Sequence, residues 1–164
     1  MLRVAVITSS DKGYKGERED ESGKRIVDIF SSKEDYEVVS YKILPDEKEM
    51  LMEEMKNICD SSSADLIITT GGTGFSSRDI TPEATKAVTE RECPGIPEAM
   101  RYFSMQITKR AMLSRSFAGI RKNTLIVNLP GSKKACEECL GFVIDDLKHG
   151  LEILLGSTSE CGRK

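Results

Sequence analysis

The stretch Leu66-Ile67-Ile68-Thr69-Thr70-Gly71-Gly72-Thr73-Gly74 is the most informative part of this sequence. It begins as an apolar, β-rich run, and such a run is typical of a strand that is buried on both faces of a sheet. It ends in three glycines within four residues, which let the backbone approach a ligand and point several N–H groups at an anion. The stretch therefore predicts a buried strand followed by a binding loop, with a tight strand-to-helix turn as the alternative for the loop.

Strands and helices are predicted to alternate along the rest of the chain. Three more strands are predicted, at Arg3–Thr8, Glu37–Leu44 and Thr124–Leu129. Helical patterns occupy the intervening and following segments Ser22–Phe30, Glu47–Cys59, Thr81–Glu90, Pro97–Gln106 and Lys133–Leu147. This alternation predicts an α/β fold of three layers, a mostly parallel sheet flanked by helices on both faces. We expect one domain over residues 1–156 and a flexible polar tail over residues 157–164.

The composition indicates a soluble globular protein. The chain has 164 residues, of which 38% are hydrophobic and 31% are charged. We expect no signal peptide, because the sequence begins with the strand-like run from Leu2 to Ile7 and not with a charged leader and a long apolar stretch. We also expect no membrane span, because no apolar segment approaches the ~20 residues that a span requires. Five cysteines without the spacing of a disulfide framework suit a reducing compartment. The sequence therefore predicts a cytoplasmic protein.

Positive charge is concentrated in one window of an acidic chain. No acidic residue lies between Glu98 and Glu137, whereas this window contains eight basic residues: Arg101, Lys109, Arg110, Arg115, Arg121, Lys122, Lys133 and Lys134. The net charge of the whole chain is −3. An acidic protein must concentrate positive potential locally to attract phosphates, so we interpret the window as an anion site. Nucleic acid is not an expected partner, since the pI is near 5.4 and aromatic residues are few.

Two aspartates follow predicted strands and are candidate ligands of Mg²⁺. Thr81 with Pro82 forms a good helix start, so Asp79 is not needed as a cap. Two roles stay open for Asp46, which either caps the next helix or joins Asp79 at a metal site. Mg²⁺ commonly takes one or two carboxylates together with substrate phosphates.

Two other loops complete the candidate site. Ser132 is predicted to cap the last helix, whose N-terminus would attract a phosphate to Lys133 and Lys134. The long polar loop from Ser9 to Gly23 either folds over a ligand or is ordinary surface.

The sequence lacks the residues that several common catalytic and metal sites require. His149 is the only histidine and lies in a C-terminal helical segment, and the sequence has no GxSxG elbow, so we do not expect the nucleophile chemistry of a Ser-His-Asp hydrolase. Cys136 and Cys139 are spaced as a CxxC pair, but they lie inside a predicted helix and no second pair completes a zinc site. We therefore interpret both cysteines as core residues.

These loops, in this order, resemble the molybdopterin-binding domain family, in particular the molybdopterin adenylyltransferases of the Mog type and the gephyrin N-terminal domain. The similarity extends over roughly residues 3–155. The matching segments are Val4–Asp11 with Asp20–Gly23, Leu44–Glu47, Thr69–Thr85, Arg91–Gly95, Met112–Arg115, Ala118–Arg121 and Asn128–Gly131.

The resemblance implies a trimeric α/β protein that transfers AMP from Mg-ATP to the terminal phosphate of molybdopterin and releases pyrophosphate. Asp46 and Asp79 would be the essential acidic residues and the ligands of Mg²⁺. The remaining residues implied to bind substrate or nucleotide are Ser9, Asp11, Gly71, Gly72, Thr73, Gly74, Ser104, Ser114, Arg115, Asn128, Pro130, Gly131 and Ser132. A molybdenum-insertion protein is a further expected partner.

Two alternatives of a different class are compatible with the resemblance. The first is a non-catalytic protein that binds and delivers molybdopterin, as the MoaB-like proteins do. Some of these lack the second acidic motif, whereas the segment Arg78–Glu83 is intact here. The second is a nucleotide pyrophosphatase of the competence-damage type, which would hydrolyse nucleotide without a pterin.

Overall fold

The fold is seen in a computed structural model that describes residues 1–157. Within this range the chain forms one six-stranded sheet. The strands, in chain order, are Leu2–Ser9 (β1), Tyr36–Leu44 (β2), Leu66–Thr70 (β3), Arg91–Glu92 (β4), Ala118–Arg121 (β5) and Thr124–Leu129 (β6). The α-helices are Asp11–Tyr14 (α1), Glu21–Ser31 (α2), Lys48–Asp60 (α3), Thr81–Val88 (α4), Gly95–Met105 (α5) and Lys133–Leu154 (α6). A 3₁₀ helix occupies Lys109–Leu113.

The order of the strands places a crevice at the carboxyl ends of the parallel strands. The order is β2-β1-β3-β6-β5-β4, and the first four of these strands are parallel. The chain runs from β1 outward to β2 and then crosses to β3 on the other side of β1. In open sheets of this kind, ligands bind beyond the carboxyl ends of the strands where the order reverses. The ends of β1 and β3 are therefore the expected place for a site.

Alternating side chains of the buried strands form two cores, one on each face of the sheet. Val4 and Val6 of β1 pack on the face covered by α2, α5 and α6. Ala5 and Ile7 pack on the opposite face, which α3 and α4 cover. Every residue of β3 is buried, as the continuous apolar run predicted. The three-layer α/β architecture with a mostly parallel sheet is thus confirmed.

The short strands of the sheet were not predicted. Strands β4 and β5 pair antiparallel beside β6, and a turn at Lys122 and Asn123 joins β5 to β6. Only two residues form β4 and four form β5, so neither is long enough to show an apolar period. A methyl group at Gly119 would lie 2.8 Å from Thr89 Cβ, so this glycine permits the close approach of β5 to the chain after α4.

The ends of the predicted elements need smaller corrections. Helix α6 continues to Leu154, seven residues beyond the predicted end at Leu147. The predicted tail lies outside the described residues apart from Ser157, whose amide and hydroxyl groups donate to the Glu152 carbonyl at 2.9 and 2.8 Å. Among residues 1–157, no helix combines the length and the apolar character that crossing a membrane requires.

Candidate functional site

A polar cavity opens at the carboxyl ends of the parallel strands. Its volume is about 530 Å³, and we call it the acidic cavity because Asp20, Asp46 and Asp79 contribute to its wall. Seven of the predicted site residues line it: Ser9, Asp46, Gly71, Gly72, Asp79, Gly131 and Ser132. These residues come from the end of β1 and from the loops after β2, β3 and β6, so the fold brings together segments that are far apart in sequence.

The glycines after β3 are required by close contacts between these loops. Gly71 and Gly72 have φ angles of 90° and 68°, a region that favours glycine. A methyl group on Gly71 would lie 2.3 Å from the Ser9 carbonyl oxygen, and the Gly71 backbone also closely approaches Gly131. The glycines therefore allow three loop backbones to meet at the acidic cavity.

Arg115 holds the second half of the glycine-rich loop in place. Its guanidinium donates to the carbonyl oxygens of Gly74 and Asp79, both at 2.7 Å, and to the Glu83 carboxylate. Burial would raise the pKa of Glu83, but the hydrogen bond from Arg115 holds it below its usual value. Arg115 lines neither the acidic cavity nor a second cavity on the other side of this loop, and its contacts support the loop.

Asp46 connects two loops and does not cap a helix. Helix α3 begins at Lys48, and no side chain caps it. One oxygen of the Asp46 carboxylate accepts a hydrogen bond from Ser9 Oγ at 2.6 Å, and the other accepts from the amide of Asp11 at 2.9 Å. The capping role for Asp46 is therefore wrong, and its carboxylate faces the acidic cavity.

The predicted cap on α4 is also wrong. Thr81 is the first residue of the helix, and no side chain caps the helix. Its hydroxyl is completely buried and has no hydrogen-bond partner. The Asp79 carboxylate accepts from the amide of Ser76 at 3.0 Å, so it stabilises its own loop while it faces the cavity.

A second, more apolar cavity lies on the other side of the same loops. Its volume is about 330 Å³, and we call it the apolar cavity because Pro97, Met100 and Leu113 contribute to its wall. Five predicted site residues line it: Thr73, Gly74, Ser104, Ser114 and Pro130. Arg101 and Arg110 also line it. The glycine-rich loop and the segment from Pro130 to Lys133 contribute to both cavities, so these loops form a shared wall.

Asn128 does not line the pocket as the resemblance implied. Its side chain is completely buried and donates to the hydroxyls of Thr69 and Thr85, both at 2.8 Å. Its amide oxygen accepts from the Phe117 backbone at 3.2 Å. These bonds join β6 to β3 and α4 beneath the site. Asp11 likewise lies outside both cavities, where it pairs with Arg78.

The basic residues of the window do not lie together at one site. Arg101 and Arg110 line the apolar cavity and Lys133 lines the acidic one, but Arg121 and Lys122 pair with Asp60 at the amino edge of the sheet. The prediction that Ser132 caps α6 is confirmed, since its side chain accepts from the amide of Ala135 at 3.2 Å. Lys134 is exposed and lies near Glu138, 3.9 Å away.

The loop from Ser9 to Gly23 is part of the site and contains residues that sequence reasoning missed. Arg18, Glu19 and Asp20 line the acidic cavity. Asp20 is buried, caps α2 and accepts from Thr8 Oγ1 at 2.6 Å and from the Tyr41 hydroxyl at 2.5 Å. Burial and this bond raise the pKa of Tyr41 well above its usual value. Aspartate is a preferred N-cap residue and Asp20 lies just before the predicted helix, so a signal for this cap was available in the sequence.

The donor set at the acidic cavity fits Mg²⁺. Asp46 and Asp79 both face the cavity, and each carboxylate keeps lone pairs beyond those used by the hydrogen bonds described above. Among residues 1–157, no group of three or more acidic, His or Cys side chains is arranged as a metal site. Two carboxylates with phosphate oxygens match the usual ligands of Mg²⁺, whereas a site built from protein groups alone would need more ligands.

The cysteines of α6 are core residues, as predicted. Burial raises the pKa of Cys136 to about 12 and also raises that of Cys139, so both thiols stay protonated near neutral pH. Cys136 Sγ donates to the Pro130 carbonyl at 2.7 Å, which anchors the loop at the shared wall.

Comparison with known proteins identifies the family. Residues 5–149 match the family model described as a probable molybdopterin binding domain. The chain belongs to this molybdopterin-binding domain family. The resemblance that the loops indicated is thus confirmed over most of the chain.

Relatives of this molybdopterin-binding domain take part in cofactor synthesis. A molybdopterin adenylyltransferase of Helicobacter pylori is 39% identical over 167 residues, which cover 99% of this chain and 93% of the relative. The molybdopterin biosynthesis enzyme MoaB of Thermus thermophilus has a TM-score of 0.89 at 43% identity, covering 95% of this chain and 98% of the other. The tungsten cofactor synthesizing protein MoaB of Pyrococcus furiosus has a TM-score of 0.85 at 36% identity, covering 94% and 97%.

Proposed function

We propose that this protein is a molybdopterin adenylyltransferase of molybdenum cofactor biosynthesis. It transfers AMP from ATP to the terminal phosphate of molybdopterin and releases pyrophosphate. The observation that carries the proposal is the shared wall. The glycine-rich loop and the segment from Pro130 to Lys133 separate a polar cavity suited to a triphosphate from an apolar cavity suited to a flat ring.

The acidic cavity is the proposed site of ATP. The amino end of α6, capped by Ser132, and Lys133 supply positive potential for phosphates, and the glycine-rich loop allows a close backbone approach. Asp46 and Asp79 would hold Mg²⁺, which neutralises phosphate charge when it is bound. Mg²⁺ could offset the repulsion between these carboxylates and the triphosphate.

The apolar cavity is the proposed site of the pterin. Pro97, Met100 and Leu113 offer apolar contacts, while Ser104 and Ser114 offer hydroxyl groups. Arg101 and Arg110 are the nearby positive charges for the terminal phosphate. Arg101 already donates to the carbonyl oxygens of Ser114 and Ser116, at 3.3 and 3.1 Å, so it is held at this wall.

The reaction requires no protein nucleophile. An oxygen of the pterin phosphate attacks the α-phosphorus of ATP, a new P–O bond forms, and the bond to the β-phosphate oxygen breaks to release pyrophosphate. Such reactions depend chiefly on positioning and on neutralisation of charge. The loops of the shared wall would align the two phosphates, and the buried thiols of Cys136 and Cys139 take no part.

We further infer a cytoplasmic homotrimer that hands its product to a molybdenum-insertion protein. The four cysteines among the described residues are all free thiols, which agrees with a reducing compartment. Exposed apolar residues around the end of α5, among them Tyr102, Ile107 and Met112, support assembly.

The test is pyrophosphate release from Mg-ATP with and without molybdopterin. We expect release only when both substrates are present, together with an adenylylated pterin. Pterin binding without release would indicate the delivery protein, and release without pterin would indicate a nucleotide pyrophosphatase.

A further inference from the structure

One arginine outside both cavities is bonded to two of the loops that carry the candidate site. The Arg78 guanidinium makes two parallel bonds to the Asp11 carboxylate, each 2.9 Å long, and a third bond of 2.9 Å to Glu47. Asp11 follows β1 and Glu47 follows β2, whereas Arg78 belongs to the loop after β3. Arg78 thus joins the three loops whose strands lie side by side.

Asp11 extends this connection to Asp46. The amide of Asp11 donates to the Asp46 carboxylate at 2.9 Å, and the amide of Asp46 donates to the Asp11 carboxylate at 3.0 Å. The two residues therefore hold each other by reciprocal bonds. Because Asp11 also accepts both prongs of the Arg78 fork, its position depends on Arg78 on one side and sets that of Asp46 on the other.

Arg78 is connected to the second aspartate through the chain. Asp79 follows it directly, and the Asp79 carboxylate is tied back to the amide of Ser76 within the same loop. Asp79 lines the acidic cavity while Arg78 faces Asp11 outside it. A displacement of the Arg78 backbone would therefore move Asp79 relative to Asp46.

The stability that these ion pairs add does not explain them. Half of the Arg78 side chain and about a third of that of Asp11 are exposed, and exposed ion pairs contribute little to folding. A fork with two parallel bonds instead fixes distance and orientation, which a lysine, as a point charge, cannot do. The arrangement suits positioning.

We propose that Arg78 is a positioning residue, which acts through Asp11 to fix the separation of Asp46 and Asp79 and touches neither substrate. This inference rests on the proposed function, in which the two aspartates hold Mg-ATP. We call Arg78, Asp11 and the two reciprocal bonds between Asp11 and Asp46 the loop clamp.

The experiment compares R78A, R78K, D11A and the double variant R78A/D11A with the unaltered protein. We expect each single variant to lower kcat and to raise the Mg²⁺ concentration for half-maximal rate, both by about tenfold, with an unchanged KM for molybdopterin. The kcat of the double variant should lie within about twofold of that of the less active single variant, because both changes break the same clamp. R78K should fail to restore the rate.

The matched control is R121A. Arg121 makes the same two-pronged fork, to Asp60 at 3.0 and 2.9 Å, at the opposite edge of the sheet. Its removal should affect stability in a similar way and leave both kcat and the Mg²⁺ requirement unchanged. A purely structural role of Arg78 would make R78A and R121A behave alike.

Three results would overturn the inference. They are a rate in R78A equal to that of the unaltered protein, full activity in R78K, and multiplicative losses in the double variant, which would mean that Arg78 contacts a phosphate itself. Calorimetry of ATP binding at a series of Mg²⁺ concentrations separates this inference from the proposed function. A shifted Mg²⁺ dependence in R78A supports the clamp even if the unaltered protein transfers no AMP, and an unshifted one, or no Mg-ATP binding at all, rejects it.

Discussion

At the scale of single residues, Thr81 buries a hydroxyl group that has no partner. The side chain is completely buried next to Gly72, at the start of α4. An unpaired buried polar group costs about 1–3 kcal/mol, whereas an apolar group of the same shape avoids that cost. We therefore expect Thr81→Val to leave the free energy of unfolding unchanged or to raise it by about 1 kcal/mol. Urea unfolding measures this, and a loss of more than about 1 kcal/mol would mean that the hydroxyl is satisfied in solution.

Substitution of Asp46 and of Asp79 should affect the stability of the protein to different extents but should affect its activity alike. Asp46→Asn removes one of two accepting oxygens that bind Ser9 and Asp11, so we expect a loss of about 0.5–1.5 kcal/mol in unfolding free energy. Asp79→Asn can keep its single bond from Ser76 through the amide oxygen, and its loss should be smaller.

Both variants should lose turnover by at least about 100-fold, because each removes a charge from the proposed Mg²⁺ site. Asp35→Asn is the matched control, since Asp35 pairs with Lys148 away from the cavities. Turnover that survives in either site variant would remove that aspartate from the mechanism.

At the scale of elements, an ion pair joins β1 to the start of β3 at the edge opposite the site. Arg3 makes a fork to Asp65 with bonds of 3.2 and 2.6 Å, and the Arg3 amide donates to the same carboxylate. Burial alone would raise the pKa of Asp65, but the bonds from Arg3 outweigh it and hold this pKa below its ordinary value of 3.8.

The stability of the sheet should therefore depend on this pair in acid. Since the folded-state pKa lies below the unfolded one, the stabilisation is present at neutral pH and is lost as the pH falls from about 4 through the folded-state value. We expect Asp65→Asn to be less stable at pH 7 and to show a flatter dependence of unfolding free energy on pH between about 2 and 4. An unchanged slope in that interval would contradict this assignment.

The long elements could be predicted from sequence, while the short ones depend on tertiary context. The run Leu66–Thr70 has the bounds of β3, because a fully buried strand shows its apolar character without interruption. Strand β5 contains Gly119 and an arginine, and it forms because β6 offers an edge for pairing.

The site was predictable where a residue type has few other uses. Three glycines in four residues indicated the loop, and Asp46 and Asp79 both reached the acidic cavity. Asn128 and Thr81 could not be placed, because their roles depend on which side chains lie opposite them across β3 and α4. The segment that begins at Arg78 was indicated, but the contacts of Arg78 were not, since its partners Asp11 and Glu47 are distant in sequence.

At the scale of the whole molecule, an apolar cluster is exposed around the end of α5. Phe103 stacks on Phe142 of α6 with ring centroids 4.4 Å apart. The large exposed apolar residues in the segment from residue 102 to residue 113 are Tyr102, Met105, Ile107, Met112 and Leu113, and Phe142 is itself 44% exposed. Exposed apolar patches of this kind usually mark an interface.

We therefore expect the protein to assemble through this cluster, as the homotrimer that the family resemblance implies. Sedimentation at micromolar concentration should give three times the 18.2 kDa mass of the chain. The double variant Ile107→Lys, Met112→Lys should shift the equilibrium to monomers while far-ultraviolet circular dichroism stays the same. A monomer in the unaltered protein would reject assembly, and a dimer would reject the three-fold arrangement.

The transfer of AMP to molybdopterin is tested most directly by following labelled phosphorus from ATP into the pterin. The protein is mixed with molybdopterin, Mg²⁺ and ATP labelled either at the α- or at the γ-phosphorus, with Asp79→Asn in parallel. We expect the α-label to appear in the pterin fraction and the γ-label in pyrophosphate, and the variant to show neither. An α-label that appears in free AMP, or a γ-label that appears in the pterin, would contradict the transfer of AMP to molybdopterin.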